Sequence, residues 1–137
     1  MTTNFKILTF TEIEFNGREL DLHNNFSFVS FIHNEAANEL VIQLEKAIGD
    51  WVPQNESKKL TVTLSNIHYL KLIDPKPEYI SDDHCLAGIT FYGSDDRDEN
   101  FSLVDQPLPK AGDDIIFTFE SDRVIRVNCD SVTLTTN

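Results

Sequence analysis

The sequence shows no pattern typical of an export signal or a membrane span, and we expect neither. Its first residues, MTTNFKILTFTEIEF, have no cationic start and no apolar run long enough for a signal peptide. No stretch approaches the roughly 20 apolar residues of a membrane span. Cysteine is scarce too, since Cys85 and Cys129 are too few for a disulfide framework. We therefore expect a cytoplasmic protein with reduced thiols.

Glycine and the motifs of common enzymes are also scarce. The chain has 5 glycines, and they form no Gly-x-Ser-x-Gly elbow, phosphate-binding loop or dinucleotide fingerprint. The 4 histidines have no His-x-His or Glu-x-x-His spacing, which a cupin-type metal centre would require. The sequence therefore predicts no catalytic residue, no metal and no cofactor, and a protein that is not an enzyme.

Positive charge is the third shortage. Lys and Arg number 11 against 23 Asp and Glu, which gives a formal net charge of −12. Nucleic acids and anionic membranes are disfavoured partners because both bind through cationic side chains. A basic protein is the kind of partner that such a field attracts and steers.

The main pattern in the sequence is a series of short segments in which apolar and polar residues alternate, separated by turn residues. EIEFNGRELDL places Asn16-Gly17 between two alternating runs, a strong hairpin signal. KLTVTLSNI alternates cleanly, and FSFVSFI, apolar on both faces, indicates a mostly buried strand. DIIFTFESDRVIRVNC predicts two strands around Ser121-Asp122. We expect one all-β domain over residues 1–137, a compact antiparallel β-sandwich or half-open barrel of about 8–10 strands.

Residues 35–48 fit two patterns. Ala37, Leu40, Val41 and Leu44 have helical spacing, and Gly49 could end such a helix. Leu40, Ile42 and Leu44 also alternate, as in a strand. Because sequential strands usually pair with each other, we predict a strand that returns from FSFVSFI, with a helix as the alternative.

The stretch ISDDHCLAG concentrates carboxylates, an imidazole and a thiol. A metal-assisted hydrolase centred on Asp82, Asp83 and His84 is one interpretation. However, neighbours on a strand point to opposite faces, so His84 is badly placed to take the proton of Cys85. We therefore predict that this stretch is the entrance to a strand, CLAGITFY, with Cys85 facing inward.

A second acidic stretch, DDRDEN, has the start of a calcium loop. Asp96, Asp98 and Asn100 have the one-three-five spacing, but Phe101 stands where that loop needs glycine, and Pro107 where it needs a bidentate glutamate. A solvated turn is the prediction for this segment.

The order of the strand segments resembles a known group of proteins. ELVIQLEKAIGDW, KKLTVTLSNIHYLKL, DDHCLAGITF and DIIFTFESDRVIRVNCDSVTL together look like small bacterial β-rich proteins, among them immunity proteins of polymorphic toxin systems. The resemblance implies a protein that binds and occludes a toxin domain, and basic nuclease toxins are often met by acidic immunity proteins. It implies no catalytic residue.

These observations predict a non-catalytic binding protein with an acidic face and aromatic anchors on loops. The residues expected to contact the partner are Asp82, Asp83, Asp95, Asp96, Asp98, Glu99, Trp51 and Tyr79. Trp51 could instead fold over the edge of the core. A carbohydrate-binding β-sandwich is the alternative function, and it would require Trp51, Tyr79 and Tyr92 to line one shallow face.

Overall fold

A computed structural model describes residues 1–97 and 101–137. Within these ranges the chain forms ten strands and two 3₁₀ helices. The strands are β1 (Thr2–Thr3), β2 (Lys6–Ile7), β3 (Glu12–Phe15), β4 (Arg18–Asp21), β5 (Phe26–Asn34), β6 (Glu39–Lys46), β7 (Lys59–Ile73), β8 (Leu86–Tyr92), β9 (Asp114–Phe119) and β10 (Val124–Thr136). The 3₁₀ helices span Pro77–Asp82 and Ser94–Asp96. Neither of these helices of the described residues is long and apolar enough to cross a membrane.

The strands form one large curved sheet and one small sheet. The large sheet has the order β5-β6-β7-β10-β9-β8, with β1 added in parallel along β10. The small sheet is the meander β2-β3-β4. The two ends of the large sheet approach each other, because the amide of Phe28 in β5 donates to the carbonyl of His84, just before β8, at 2.8 Å. The result is a half-barrel, which confirms the all-β prediction and the expected number of strands.

The predicted hairpin at Asn16-Gly17 is confirmed. These two residues connect β3 to β4 with φ of 51° and 76°. Both values lie in the left-handed region that the twist of a two-residue hairpin demands, where Gly17 meets no steric penalty.

Residues 39–46 form a strand, so the helix alternative for this segment is wrong. β6 pairs with β5 on one side and β7 on the other. Leu40, Ile42 and Leu44 alternate and are buried, so the period of two sets the conformation. Asn38, with φ of 53°, lies in the turn that precedes the strand.

β5 departs from the prediction of a mostly buried strand. Phe26 and Phe28 are buried, but Val29 and Ile32 are exposed. The register against β6 shifts between Phe28 and Ser30, which leaves Val29 as the extra residue of a bulge. β5 lies at the edge of the sheet, and its second half extends beyond the core.

The strands predicted around Ser121-Asp122 are confirmed as β9 and β10.

The core lies between the concave face of the large sheet and the small sheet. Both sheets contribute side chains that are almost wholly buried, including Ile13, Leu20, Leu60, Phe91 and Val127. This packing fixes the positions of the strand ends, and it is at one group of strand ends that the candidate site lies.

Candidate functional site

A groove opens where the start of β5, the end of β6 and the entrance to β8 meet. Its volume is about 520 Å³. We call it the Trp51 groove, after one of the residues that line it: His23, Phe26, Glu45, Ile48, Trp51 and Cys85 are among them. The lining combines apolar side chains with polar ones, which can fix the orientation of a bound group.

Trp51 is held in a fixed pose although it is exposed. Its side chain is 64% exposed, and its Nε1 donates to the carbonyl oxygen of Asn24 at 2.7 Å. The ring lies so close over Gly49 that a Cβ there would overlap it. Its neighbour Ile48 is 98% exposed. Trp51 therefore does not fold over the core, and the groove presents two apolar side chains to solvent.

Acidic side chains surround the thiol of the groove. Burial raises the pKa of the Cys85 thiol, and the nearby carboxylates of Glu120 and Asp82 raise it further. Glu45 is exposed beside them, whereas Lys46 directs its Nζ to the carbonyl of Gln54 at 3.2 Å. A thiol in negative surroundings stays protonated, so Cys85 is a poor nucleophile.

The imidazole that faces Cys85 belongs to His23, not to His84. Nδ1 of His23 lies 3.4 Å from Sγ of Cys85 and 2.7 Å from the carbonyl oxygen of Leu86. Glu120 completes the group, and the three potential ligand atoms of His23, Cys85 and Glu120 lie within 4.8 Å of one another. We call these residues the His23–Cys85–Glu120 cluster. The scattered histidine spacing that argued against a metal site does not reveal this cluster, because only the fold brings it together.

Asp82, Asp83 and His84 do not converge on one point. Arg123 donates to both carboxylate oxygens of Asp83 at 2.9 Å, and Ser121 Oγ donates to it at 2.6 Å. The hydrogen bonds from Arg123 lower the pKa of Asp83, against the opposing effect of burial. Nδ1 of His84 lies 3.1 Å from the carbonyl of Ser81. The carboxylate of Asp83 therefore connects the end of the first 3₁₀ helix to the β9–β10 turn. Because its oxygens already accept these hydrogen bonds, the arrangement does not favour the hydrolase alternative.

The three aromatic residues of the carbohydrate alternative are dispersed. Trp51 lies in the groove, while Tyr79 is exposed on the first 3₁₀ helix. Tyr92 ends β8, beneath the guanidinium of Arg126. β8 begins beside the groove and spans seven residues, so its far end is roughly 20 Å away. The three rings therefore do not share a shallow face.

The acidic residues expected to contact a partner fall into separate places. Asp82 lies beside the groove, while exposed Asp95 and partly buried Asp96 follow the far end of β8 in the second 3₁₀ helix. Asp98 and Glu99 lie outside the described residues, as does Asn100 of the calcium pattern.

A buried ion network holds the segment that carries Asp95 and Asp96. Arg97 donates to both carboxylate oxygens of Asp114, at 3.0 and 2.9 Å, and Arg126 donates to one of them at 2.7 Å. Asn128 adds a bond of 3.0 Å. Burial alone would raise the pKa of Asp114, but the hydrogen bonds from Arg97, Arg126 and Asn128 outweigh it and lower the pKa. Arg97 also lies 3.8 Å above the ring of Tyr69.

The chain is thus an all-β half-barrel with a groove at one group of strand ends, lined by apolar and polar side chains alike. No family model, curated protein or solved structure matches the chain. The functional proposal therefore depends on the geometry of the groove itself.

Proposed function

We propose that this protein is a non-catalytic binding module that receives a basic protein partner at the Trp51 groove. The observation that carries the proposal is the joint exposure of Ile48 and Trp51 beside the cavity. Large apolar side chains that stay in solvent beside a groove are typical of interaction surfaces. Tryptophan is also one of the residue types enriched among those that dominate binding energy.

The pose of Trp51 supports a role in binding. Gly49 gives the ring room, and the carbonyl of Asn24 accepts its Nε1 proton. A side chain already held in position loses little conformational entropy when a partner covers it, so more of the contact energy appears as affinity.

Charge supports a basic partner. The whole chain carries a formal net charge of −12, and Glu45, Asp82 and Glu120 lie in or beside the groove. Such a field attracts a cationic surface and speeds encounter, and salt weakens it.

The chemistry of the groove favours binding over covalent catalysis. The pKa of Cys85 is raised by burial and by the nearby carboxylates, whereas a nucleophilic cysteine needs a lowered pKa. The Nδ1 atom of His23 is closer to the Leu86 carbonyl than to the thiol, so that carbonyl competes for the imidazole.

Within this proposal the partner class is the basic toxin domain that the sequence resemblance implies, and the chain acts as its cytoplasmic immunity protein. Both cysteines are free, which is compatible with a reducing compartment. Of the residues predicted from the sequence to contact the partner, this proposal keeps Trp51 and Asp82. It adds Ile48 and Glu45, which line the groove.

The experiment compares four baits: the wild type, Ile48→Ser, Trp51→Ala and the control Leu108→Ser. Leu108 is also exposed but lines a different cavity. Each bait is incubated at low salt with lysate from the organism that carries the gene, and bound proteins are identified by mass spectrometry. We expect a basic protein on the wild type and on Leu108→Ser that is lost from Ile48→Ser and Trp51→Ala. Retention of no basic protein, or equal retention by all four baits, contradicts the proposal.

A further inference from the structure

The His23–Cys85–Glu120 cluster is assembled from three separate parts of the chain. His23 lies between β4 and β5, Cys85 precedes β8, and Glu120 begins the β9–β10 turn. His23 and Cys85 are 62 positions apart in the sequence.

Backbone hydrogen bonds fix where these residues meet. The amide of Glu120 donates to the carbonyl of Cys85 at 2.9 Å, which continues the pairing of β8 with β9. The Nδ1 atom of His23 lies 2.7 Å from the carbonyl of Leu86, the residue after Cys85. The three side chains therefore extend from a rigid frame, which reduces the cost of bringing them around a common ligand.

We propose that His23, Cys85 and Glu120 bind a thiophilic divalent cation, with Zn²⁺ as the best fit. The Sγ of Cys85 and Nδ1 of His23 are 3.4 Å apart. In a tetrahedral zinc site, with Zn–S of about 2.3 Å and Zn–N of about 2.0 Å, these two atoms are separated by about 3.5 Å. The observed distance matches this edge of the tetrahedron. The third ligand comes from Glu120, whose exposed side chain is free to close the remaining distance.

The donor set selects the class of cation. Thiolate and imidazole are soft and intermediate ligands that favour Zn²⁺ and its spectroscopic substitute Co²⁺, whereas Ca²⁺ and Mg²⁺ require oxygen donors. The carboxylates of Asp82 and Glu120 lie beside the thiol and add negative charge that a cation offsets. The arriving cation displaces the thiol proton of Cys85 to solvent, and the resulting thiolate is the ligand.

His23 has one nitrogen already engaged by the protein. Without a cation, a proton on Nδ1 satisfies the Leu86 carbonyl. Because it is Nδ1 whose distance to the thiol fits the zinc edge, binding of the cation exchanges this hydrogen bond for the bond from Nδ1 to the metal and leaves the imidazole proton on Nε2.

The cluster borders the Trp51 groove, so a cation there would have an open face. Three protein ligands with a fourth position open to solvent distinguish such a site from a closed structural zinc site. A water molecule or a donor atom of a bound partner can take the fourth position. Cation binding is a separate claim from partner binding, because it is measured on the isolated chain.

The test uses the full chain without a histidine tag. It is titrated with Zn²⁺ by calorimetry and with Co²⁺ by absorption spectroscopy. We expect one site per chain and a thiolate-to-cobalt charge-transfer band. Cys85→Ser removes the band. Glu120→Gln replaces a direct ligand, so it should weaken Zn²⁺ binding by at least the roughly ten-fold that loss of a ligand's hydrogen-bond partner costs. Glu120→Gln changes an exposed side chain, so it tests the site even where Cys85→Ser alters folding.

Two controls separate the cluster from scattered surface ligands. Cys129→Ser replaces the other cysteine, and Glu45→Gln replaces a carboxylate of the groove outside the cluster. Both variants should keep the band and the affinity. The proposal is overturned by the absence of the cobalt band, by its loss in Cys129→Ser, or by an affinity that Glu45→Gln lowers as much as Glu120→Gln.

Discussion

Replacing Asp114 by Asn removes the carboxylate that both Arg97 and Arg126 contact. Asp114 is 0% exposed and Arg126 is 2% exposed. Asn has nearly the same shape as Asp, so the change leaves packing almost intact and takes away the negative charge. The guanidinium of Arg126 then stays buried beside a neutral amide.

The burial of Asp114 and Arg126 places this change among the costly ones. Removing one partner of a buried ion pair costs about 3–5 kcal/mol, because the remaining charge is desolvated without compensation. For a chain of 137 residues, an unfolding entropy of about 2.1 cal/mol/K per residue converts this loss into a fall in melting temperature of about 10–17 °C. That is a large part of the roughly 5–15 kcal/mol that stabilises a domain.

The assay is urea unfolding and thermal melting of three proteins: the wild type, Asp114→Asn and the control Asp122→Asn. Asp122 forms an ion pair with Lys76 at 3.0 Å, but the side chains are 50% and 57% exposed. Its φ of 66° is one that Asn also adopts readily. The control should lose far less stability, because exposed ion pairs contribute little to folding. A loss for Asp114→Asn no larger than that of the control would refute the reasoning about the buried network.

Three further predictions concern other parts of the chain. Gly49→Ala should displace the ring of Trp51, the chain's single tryptophan, so its fluorescence emission should shift and quenching by iodide should change; an unaltered spectrum would count against the described pose. Asp83→Asn should destabilise the chain at neutral pH because it breaks the pair with Arg123. Since the folded pKa of Asp83 lies below its ordinary value of 3.8, the stability from this pair is complete above that value and is lost as pH falls through the lowered pKa. The difference in unfolding free energy between the variant and the wild type should therefore shrink in acid, and a difference that persists unchanged would be inconsistent with the pair. Cys129 is 3% exposed, so its labelling by a thiol reagent should follow global unfolding, and its pKa, raised by burial to about 11, slows the reaction further at neutral pH; rapid labelling of the folded chain would contradict its burial.

Much of the fold follows from local pattern. Asn16-Gly17 supplies the backbone conformation of a hairpin whatever surrounds it, and the alternation in β6 and β7 matches one buried face. The bulge at Val29 and the exposed end of β5 were not predicted, because they depend on how far the core extends beneath the strand. Sequence pattern shows which residues alternate, but not where the sheet extends beyond its core.

Most of the candidate site could not be predicted from the sequence. His23, Cys85 and Glu120 meet only because the two ends of the large sheet approach each other, and no spacing along the chain signals that contact. Asp83 was expected to face a partner, but a single sequence does not show that Arg123 lies opposite it. The sequence identified Trp51 as an aromatic residue on a loop. Its exposure could not be predicted, because it depends on the position of the ring over Gly49.

The central claim, that the Trp51 groove binds a basic protein, is tested most directly by calorimetric titration of the captured partner at rising salt. We predict that the dissociation constant increases as salt screens the acidic rim. We also predict that Trp51→Ala weakens binding by about 2 kcal/mol or more, roughly thirty-fold, while Leu108→Ser binds as the wild type does. An affinity that neither salt nor the loss of the Trp51 ring changes would contradict the account.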